Sequence, residues 1–159
     1  MEKESIPPVL YCGVRLTQNL DTYAIKADQS DYVESIRDPS TKDKDYAGEL
    51  RRVVGSLIWP AHQTRPDLSF DVSSLGSKVS DAGIEDIRTA IKLIRRAKHY
   101  KDVGLTFLPL NKRWGEFVPT MFSDAGWATR PSGHSQGGNL LMLANPEIAG
   151  GKISIGKCD

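Results

Sequence analysis

The sequence predicts an α+β protein, because strand-like and helical segments follow one another in blocks. Residues 9–27 are strand-like, residues 46–101 carry helical stripes, and strand-like segments return from residue 105 onward. Strict alternation of strands and helices would instead indicate a parallel sheet. The 159 residues allow one compact domain or two small ones.

The first block predicts a β-hairpin. Residues 9–17 are strand-like, and apolar and polar side chains alternate over residues 14–17. Residues 19–21 supply turn-forming side chains, and residues 22–26 form the return strand. Asp28 or Ser30 is a candidate N-cap for a short helix that runs to Ile36. Residues 37–45 contain a proline and no other apolar side chain, which predicts a solvated linker.

Three helices are predicted in the second block. Pro60 is expected to end the first, and Pro66 suits the first turn of the second. Asp81 is the candidate cap of the third, and Gly104 its candidate stop. The three apolar stripes recur at helical spacing: Leu50, Val53, Val54, Leu57, Ile58; Leu68, Val72, Leu75, Val79; Ile84, Ile87, Ile91, Ile94.

After Gly104 the apolar pattern changes from helical to strand-like. Residues 105–107, 116–123, 139–143 and 153–155 are predicted to be strands, with turn-rich stretches between them.

Composition excludes several classes of protein. No apolar run approaches the roughly 20 residues of a membrane-spanning helix, and the polar N-terminus predicts no secretory signal. The two cysteines, Cys12 and Cys158, form neither a CxxC motif nor a zinc-ligand pattern, which favours a reducing compartment. We therefore expect an intracellular protein, cytoplasmic or nuclear, that does not bind membranes.

Charge is concentrated on the third predicted helix. The chain has a net charge of +1, yet the stretch from Arg88 to Lys101 holds six basic residues and no acidic one. Arg88, Lys92, Arg95 and Arg96 lie on neighbouring turns, away from much of the isoleucine stripe. Such a row suits a phosphate backbone, although a solvated helix face with favourable C-terminal cations produces the same pattern.

Two motifs are candidates for catalysis. Residues 133–137 fit the G-x-S-x-G pattern of α/β-hydrolases, in which Ser135 would be the nucleophile. A loop precedes this motif and no histidine follows it, so a glycine-rich turn explains it better. Asp124 follows an apolar strand, a position that fits either a metal ligand or an ordinary turn residue.

Five short motifs follow one another along the chain: Tyr11-Cys12-Gly13, Gln29-x-x-Tyr32-Val33, Gly55-Ser56-Leu57-x-Trp59-Pro60, Thr64-Arg65-Pro66-Asp67-Leu68-Ser69 and Ser123-Asp124-Ala125-x-Trp127-Ala128. In this order they resemble the Pol polyprotein of copia-type retrotransposons, across the end of its reverse transcriptase and the start of its ribonuclease H domain. The resemblance covers roughly residues 9–145.

The resemblance implies three regions. Residues 1–36 would hold a hairpin like the primer grip, in which Tyr11, Cys12 and Gly13 lie near the primer end. Residues 37–104 would match the thumb and connection helices, whose cations Arg88, Lys92, Arg95 and Arg96 would contact the template–primer backbone. Residues 105–159 would be the first strands of a truncated, mixed ribonuclease H-like sheet.

The resemblance also implies an incomplete catalytic apparatus. Asp124 matches the first Mg²⁺-binding aspartate of ribonuclease H, whereas Gly126 stands where the family commonly has a second aspartate. The polymerase Tyr-x-Asp-Asp motif and the later ribonuclease H carboxylates do not occur here. We therefore expect no stably bound Mg²⁺ and no catalysis by this chain alone.

Three functional hypotheses follow. In the first, the chain is a fragment of the polyprotein that binds template–primer or RNA/DNA hybrid, with the remainder of Pol as its partner. In the second, it is a domesticated, non-catalytic module that binds nucleic acid or protein. In the third and most remote, it is an esterase that uses Ser135.

Overall fold

The computed structural model describes residues 6–42, 44–109, 116–127, 133 and 135–146. The chain divides into two compact units, Met1–Pro109 and Leu110–Asp159. The first unit combines a four-stranded antiparallel sheet with helices, and the second contains a two-stranded antiparallel sheet. This architecture confirms the predicted α+β class.

The sheet of the first unit consists of β1 (Val9–Tyr11), β2 (Val14–Gln18), β3 (Ile25–Asp28) and β4 (Leu105–Phe107) in that spatial order. The predicted single strand over residues 9–17 is wrong, because the chain reverses at Cys12 and Gly13. Both residues have positive φ, 47° and 75°, as a two-residue type I′ hairpin turn requires. The sequence prediction missed this turn because cysteine is not a typical turn residue.

Strand β4 confirms the prediction for residues 105–107 but lies in an unexpected sheet. It pairs antiparallel with β3, with Ile25 opposite Phe107. The change of apolar pattern after Gly104 predicts that these residues belong with the later strands, which is wrong. Gly104 explains the pairing: a Cβ there would collide with the carbonyl oxygen of Ala27, so only glycine lets the two backbones approach.

Four helices lie between β3 and β4 along the chain: α1 (Ser30–Ser35), α2 (Tyr46–Gln63), α3 (Ser69–Gly76) and α4 (Ile84–His99). Short 3₁₀ turns at Pro66–Leu68 and Val79–Asp81 flank α3. The described part of residues 37–45 forms neither helix nor strand, as predicted, although Pro39 is buried.

Helix α2 continues through Pro60, which was expected to end it. Proline lacks an N–H, so it leaves the carbonyl of Ser56 without its helical partner. The Tyr32 hydroxyl donates to that carbonyl at 3.0 Å. The hydrogen bond comes from α1 and satisfies the group that the proline abandons.

Helix α4 begins and ends at residues other than those predicted. Gly83, not Asp81, occupies its N-cap, and the Asp86 carboxylate accepts a hydrogen bond from the Gly83 N–H at 3.0 Å. This hydrogen bond lowers the pKa of Asp86 despite partial desolvation. The helix ends at His99, with Tyr100 as C-cap, so Gly104 serves the β3–β4 contact instead of a helix stop.

One apolar core holds these helices together. It combines the stripes of α2, α3 and α4 with Val33 and Ile36 from the end of α1. Ile58 was predicted to belong to the α2 stripe, but it is 44% exposed, and Ala61 is buried instead. The most buried side chains of the three stripes are Leu50, Val53, Leu57, Leu68, Ile87, Ala90, Ile94 and Ala97.

The second unit contains β5 (Val118–Gly126) paired antiparallel with β6 (Gln136–Ala144). The predicted strands over residues 116–123 and 139–143 are confirmed with shifted ends. The predicted strand over residues 153–155 lies outside the described residues. Large apolar side chains of both strands are exposed, among them Met121, Phe122, Leu140 and Leu141.

Candidate nucleic-acid interface

Helix α4 separates its apolar and basic residues onto opposite faces. Its buried residues are Ile87, Ala90, Leu93, Ile94 and Ala97. At 3.6 residues per turn, the four predicted cations follow the opposite side as one row. We call Arg88, Lys92, Arg95 and Arg96 the α4 stripe, and all four are exposed.

Two members of the α4 stripe form surface ion pairs. Arg88 pairs with Glu85 one turn earlier, and the Arg96 guanidinium lies 2.6 Å from the Asp71 carboxylate on α3. Exposed pairs of this kind stabilise a protein by about 0–1 kcal/mol. A phosphate can therefore replace either carboxylate at little cost to the fold.

The other two members, Lys92 and Arg95, form no ion pair with any residue that the structure describes. Their charges are solvated. Of the four cations in the stripe, these two can contact an anionic backbone without first leaving a carboxylate partner.

A buried arginine outside the predicted set positions the end of α4. Arg65 is 1% exposed and donates to the carbonyls of Ala97, at 3.3 Å, and Tyr100, at 2.8 Å. Its guanidinium also forms a bidentate pair with Asp67, with both distances 2.8 Å. The pair lowers the pKa of the Asp67 carboxyl through the Arg65 hydrogen bonds.

Arg65 therefore caps the C-terminus of the helix that carries the α4 stripe. The sequence pattern predicts no role for Arg65: its motif contributes to the resemblance, and Pro66 to the first turn of the second helix. An arginine beside Pro-Asp, between two helical stripes, is the local signal that could have indicated a structural role.

A second buried ionic group joins the sheet to α1. Asp28 is 2% exposed and accepts from Arg15 at 2.8 Å and from the Ser30 N–H at 3.2 Å; the Arg15 guanidinium also contacts the Ser30 hydroxyl. Burial by itself would raise the pKa of Asp28, but these hydrogen bonds leave it below its usual value. The prediction that Asp28 or Ser30 is the N-cap of α1 is wrong, because Gln29 occupies that position. Asp28 instead stabilises the turn that leads into the helix, through the hydrogen bond that it accepts from the Ser30 N–H.

The residues predicted for the primer-grip hairpin lie at the tip of β1 and β2. Tyr11 is 70% exposed, Cys12 is exposed, and Gly13 completes the turn. They belong to the edge of the sheet, not to the helical face that carries the cations. The structure does not place them and the α4 stripe on one element.

Asp124 lies within β5 of the second unit, opposite Gly138. It is exposed, and its carboxylate accepts a hydrogen bond from the Ala125 N–H at 2.8 Å. Gly126 is the last residue of the same strand. Among the described residues, no group of three or more His, Cys, Asp or Glu side chains lies close enough to hold a metal ion.

Ser135 immediately precedes β6. A nucleophile elbow instead joins a strand to a helix, so that the turn exposes the serine hydroxyl. The strand that follows Ser135 does not provide this geometry.

In the described part of the chain, no helix combines the length and apolar character needed to cross a membrane. Comparison with protein-family models, curated proteins and solved structures identified no match.

Proposed function

We propose that this chain is a segment of a copia-type Pol polyprotein that binds the backbone of a template–primer or RNA/DNA hybrid through the α4 stripe. The stripe places four cations along about two turns of one helix face, with the core packed behind it. This exposed row is the observation that carries the proposal. The contacts are sequence-independent, because phosphates carry no base information.

The β5–β6 sheet is assigned in the same proposal to the start of a ribonuclease H-like domain. Asp124 on β5 supports the assignment, because a carboxylate exposed on a strand is available to an ion. Mg²⁺ would be the ion of the complete domain, and oxygen ligands are those that it prefers. The remaining ligands would come from other parts of Pol.

Binding to an RNA/DNA hybrid should weaken steeply as salt rises. Each phosphate contact contributes roughly 0.9 to the slope of log affinity against log salt. The double variant Lys92→Ala with Arg95→Ala should therefore reduce the magnitude of the slope by about 2. Fluorescence anisotropy of a labelled hybrid, titrated at several salt concentrations, measures both the affinity and the slope.

Arg51→Ala provides the matched control for one lost charge. Arg51 is an exposed arginine on α2 that forms no ion pair with a described residue. It should leave the slope within about 0.3 of wild type if binding is confined to α4. If Arg51→Ala and Arg95→Ala reduced the magnitude of the salt slope equally, net charge, and not the α4 stripe, would govern binding.

We expect no Mg²⁺-dependent cleavage of the hybrid by the purified chain. Two-metal hydrolysis needs several carboxylates around ions about 3.5–4 Å apart, and Asp124 supplies one. An end-labelled hybrid incubated with Mg²⁺ should remain intact on a denaturing gel. Cleavage by nuclease-free protein that Asp124→Asn abolishes would contradict the expectation and assign a complete active site to this chain.

A further inference from the structure

A cleft of about 210 Å³ lies between α3 and α4, next to the α4 stripe. Three cations line it: Lys78 after α3, and Lys92 and Arg96 on α4. A cavity holds a water molecule once its volume reaches roughly 10–15 Å³. The cleft is therefore large enough for a tetrahedral anion.

The charges around the cleft favour an anion. Lys78, Lys92 and Arg96 face a single lining carboxylate, that of Asp71. Arg96 pairs with this carboxylate at 2.6 Å, and Lys78 lies 3.1 Å from Asp86, whose other carboxylate oxygen already accepts from Gly83. Lys92 has no acidic partner among the described residues, so the cleft contains one uncompensated ammonium group.

Two hydroxyl groups also line the cleft, one on each wall, together with the side chains of Leu75 and Leu93. Ser74 belongs to α3, and Thr89 belongs to α4, one turn before Leu93. The Ser74 hydroxyl can donate to a phosphate oxygen, whereas the Thr89 hydroxyl would first have to turn from the Glu85 carbonyl, to which it donates at 2.9 Å. Hydrogen bonds to a charged phosphate are about twice as strong as neutral ones. Cations and neutral donors thus converge on the same space from two helices.

We propose that this cleft is a phosphate subsite that holds one phosphodiester group of the bound nucleic-acid backbone. The inference rests on the proposed function and adds Ser74, Lys78 and Thr89 to the interface. Lys92 and Arg96 belong to both the cleft and the α4 stripe, so a backbone that follows the stripe passes the cleft entrance. Arg95 does not line the cleft and would contact a neighbouring phosphate.

Ser74→Leu tests the subsite because it fills the cleft without changing any charge. We expect the variant to bind an RNA/DNA hybrid about tenfold more weakly than wild type, since a displaced phosphate loses charge-assisted hydrogen bonds worth roughly 1.5 kcal/mol or more. Ser80→Leu is the control: it adds the same side chain at an exposed position outside the cleft and should bind like wild type.

Thr89→Leu fills the cleft from the opposite wall and guards against a folding defect in Ser74→Leu. Thr89 is exposed, and its hydroxyl donates to the Glu85 carbonyl one turn earlier, at 2.9 Å. Leucine is also the better helix former. A folded Thr89→Leu variant, checked by circular dichroism, should show the same tenfold loss.

The outcomes separate the subsite from the proposed function. Weaker binding by both filled variants, with Ser80→Leu unchanged, supports the subsite. Wild-type affinity in a folded Ser74→Leu or Thr89→Leu variant overturns the subsite and leaves binding by the α4 stripe in place. Absence of hybrid binding by the unmodified chain overturns the proposed function, and the subsite with it.

Discussion

Replacing Arg65 with alanine is expected to reduce the free energy of unfolding by about 3 kcal/mol. The side chain is almost fully buried and donates to two carbonyls at the end of α4 as well as to Asp67. Alanine would leave the buried Ala97 carbonyl without this donor and open a cavity between α4 and the residues that precede α3. Urea unfolding followed by circular dichroism measures the loss.

Two variants control this prediction. Arg65→Lys keeps the charge but lacks the planar fork that contacts both carbonyls and the carboxylate, so it should recover only part of the stability. Arg95→Ala removes an exposed arginine from α4 and should change stability by about 0.5 kcal/mol or less. A similar small change for Arg65→Ala would refute the capping role of Arg65.

The Arg65 pair also has a pH dependence of defined sign. The Arg65 hydrogen bonds hold the pKa of Asp67 below its usual value in the folded protein. The stabilisation is therefore complete above about pH 4, the unfolded pKa, and is lost as pH falls through the lower folded pKa. In Arg65→Ala this acid-dependent contribution disappears, so the stability difference from wild type should narrow below about pH 4.

Gly104→Ala is expected to destabilise the first unit by about 3 kcal/mol. The new Cβ would collide with the Ala27 carbonyl oxygen and lie 3.0 Å from the Ala27 carbonyl carbon and from the Asp28 Cβ. Backbone atoms cannot yield as a flexible side chain does, so β4 would have to move away from β3. Amide exchange at Lys26 and Thr106, which are opposite each other, would rise together with the loss of stability.

Gly55→Ala is the matched control for this change. Gly55 lies inside α2, and a Cβ there meets no atom within 4 Å. Alanine should stabilise the protein by roughly 0.5–1 kcal/mol, because glycine is the poorer helix former. Opposite signs for the two glycine variants would confirm close approach as the cause; destabilisation of equal size by both would contradict it.

The sequence predicted the helices well because the apolar residues at helical spacing are the ones that the core buries. Leu50, Val53 and Leu57 on α2 and Ile87 and Ile94 on α4 are all buried, at the spacing that predicted them. The basic row on α4 was predicted by the same reasoning, since residues opposite a buried stripe must face solvent.

The two errors in the first unit have different causes. Pro60 does not end α2, and the Ser56 carbonyl that it leaves without a helical partner accepts from Tyr32, 24 positions earlier in the chain. No local pattern indicates that contact. The turn at Cys12 and Gly13 is local, but cysteine rarely takes the positive φ that it has there, so its residue type gave no turn signal.

The candidate site was predictable only in part for the same reason. The positions of Lys92 and Arg95 followed from α4 alone, whereas the carboxylate beside Arg96 comes from α3. The cleft between the two helices depends on how they pack, and Ser74 gave no local signal of its place in it. The residues of the candidate site that the sequence did not predict are those placed there by contacts between elements.

The ion pairs of Arg88 and Arg96 affect the slope of binding affinity against salt concentration. Glu85 and Asp71 act as tethered counterions, already in place before any nucleic acid arrives. When a phosphate displaces them, the freed carboxylates attract cations from solution, which offsets part of the ion release that accompanies binding. If the α4 stripe binds a backbone as proposed, the titration slope would include Lys92 and Arg95 in full and the two paired arginines only in part. The complex would then contain more phosphate contacts than the slope indicates.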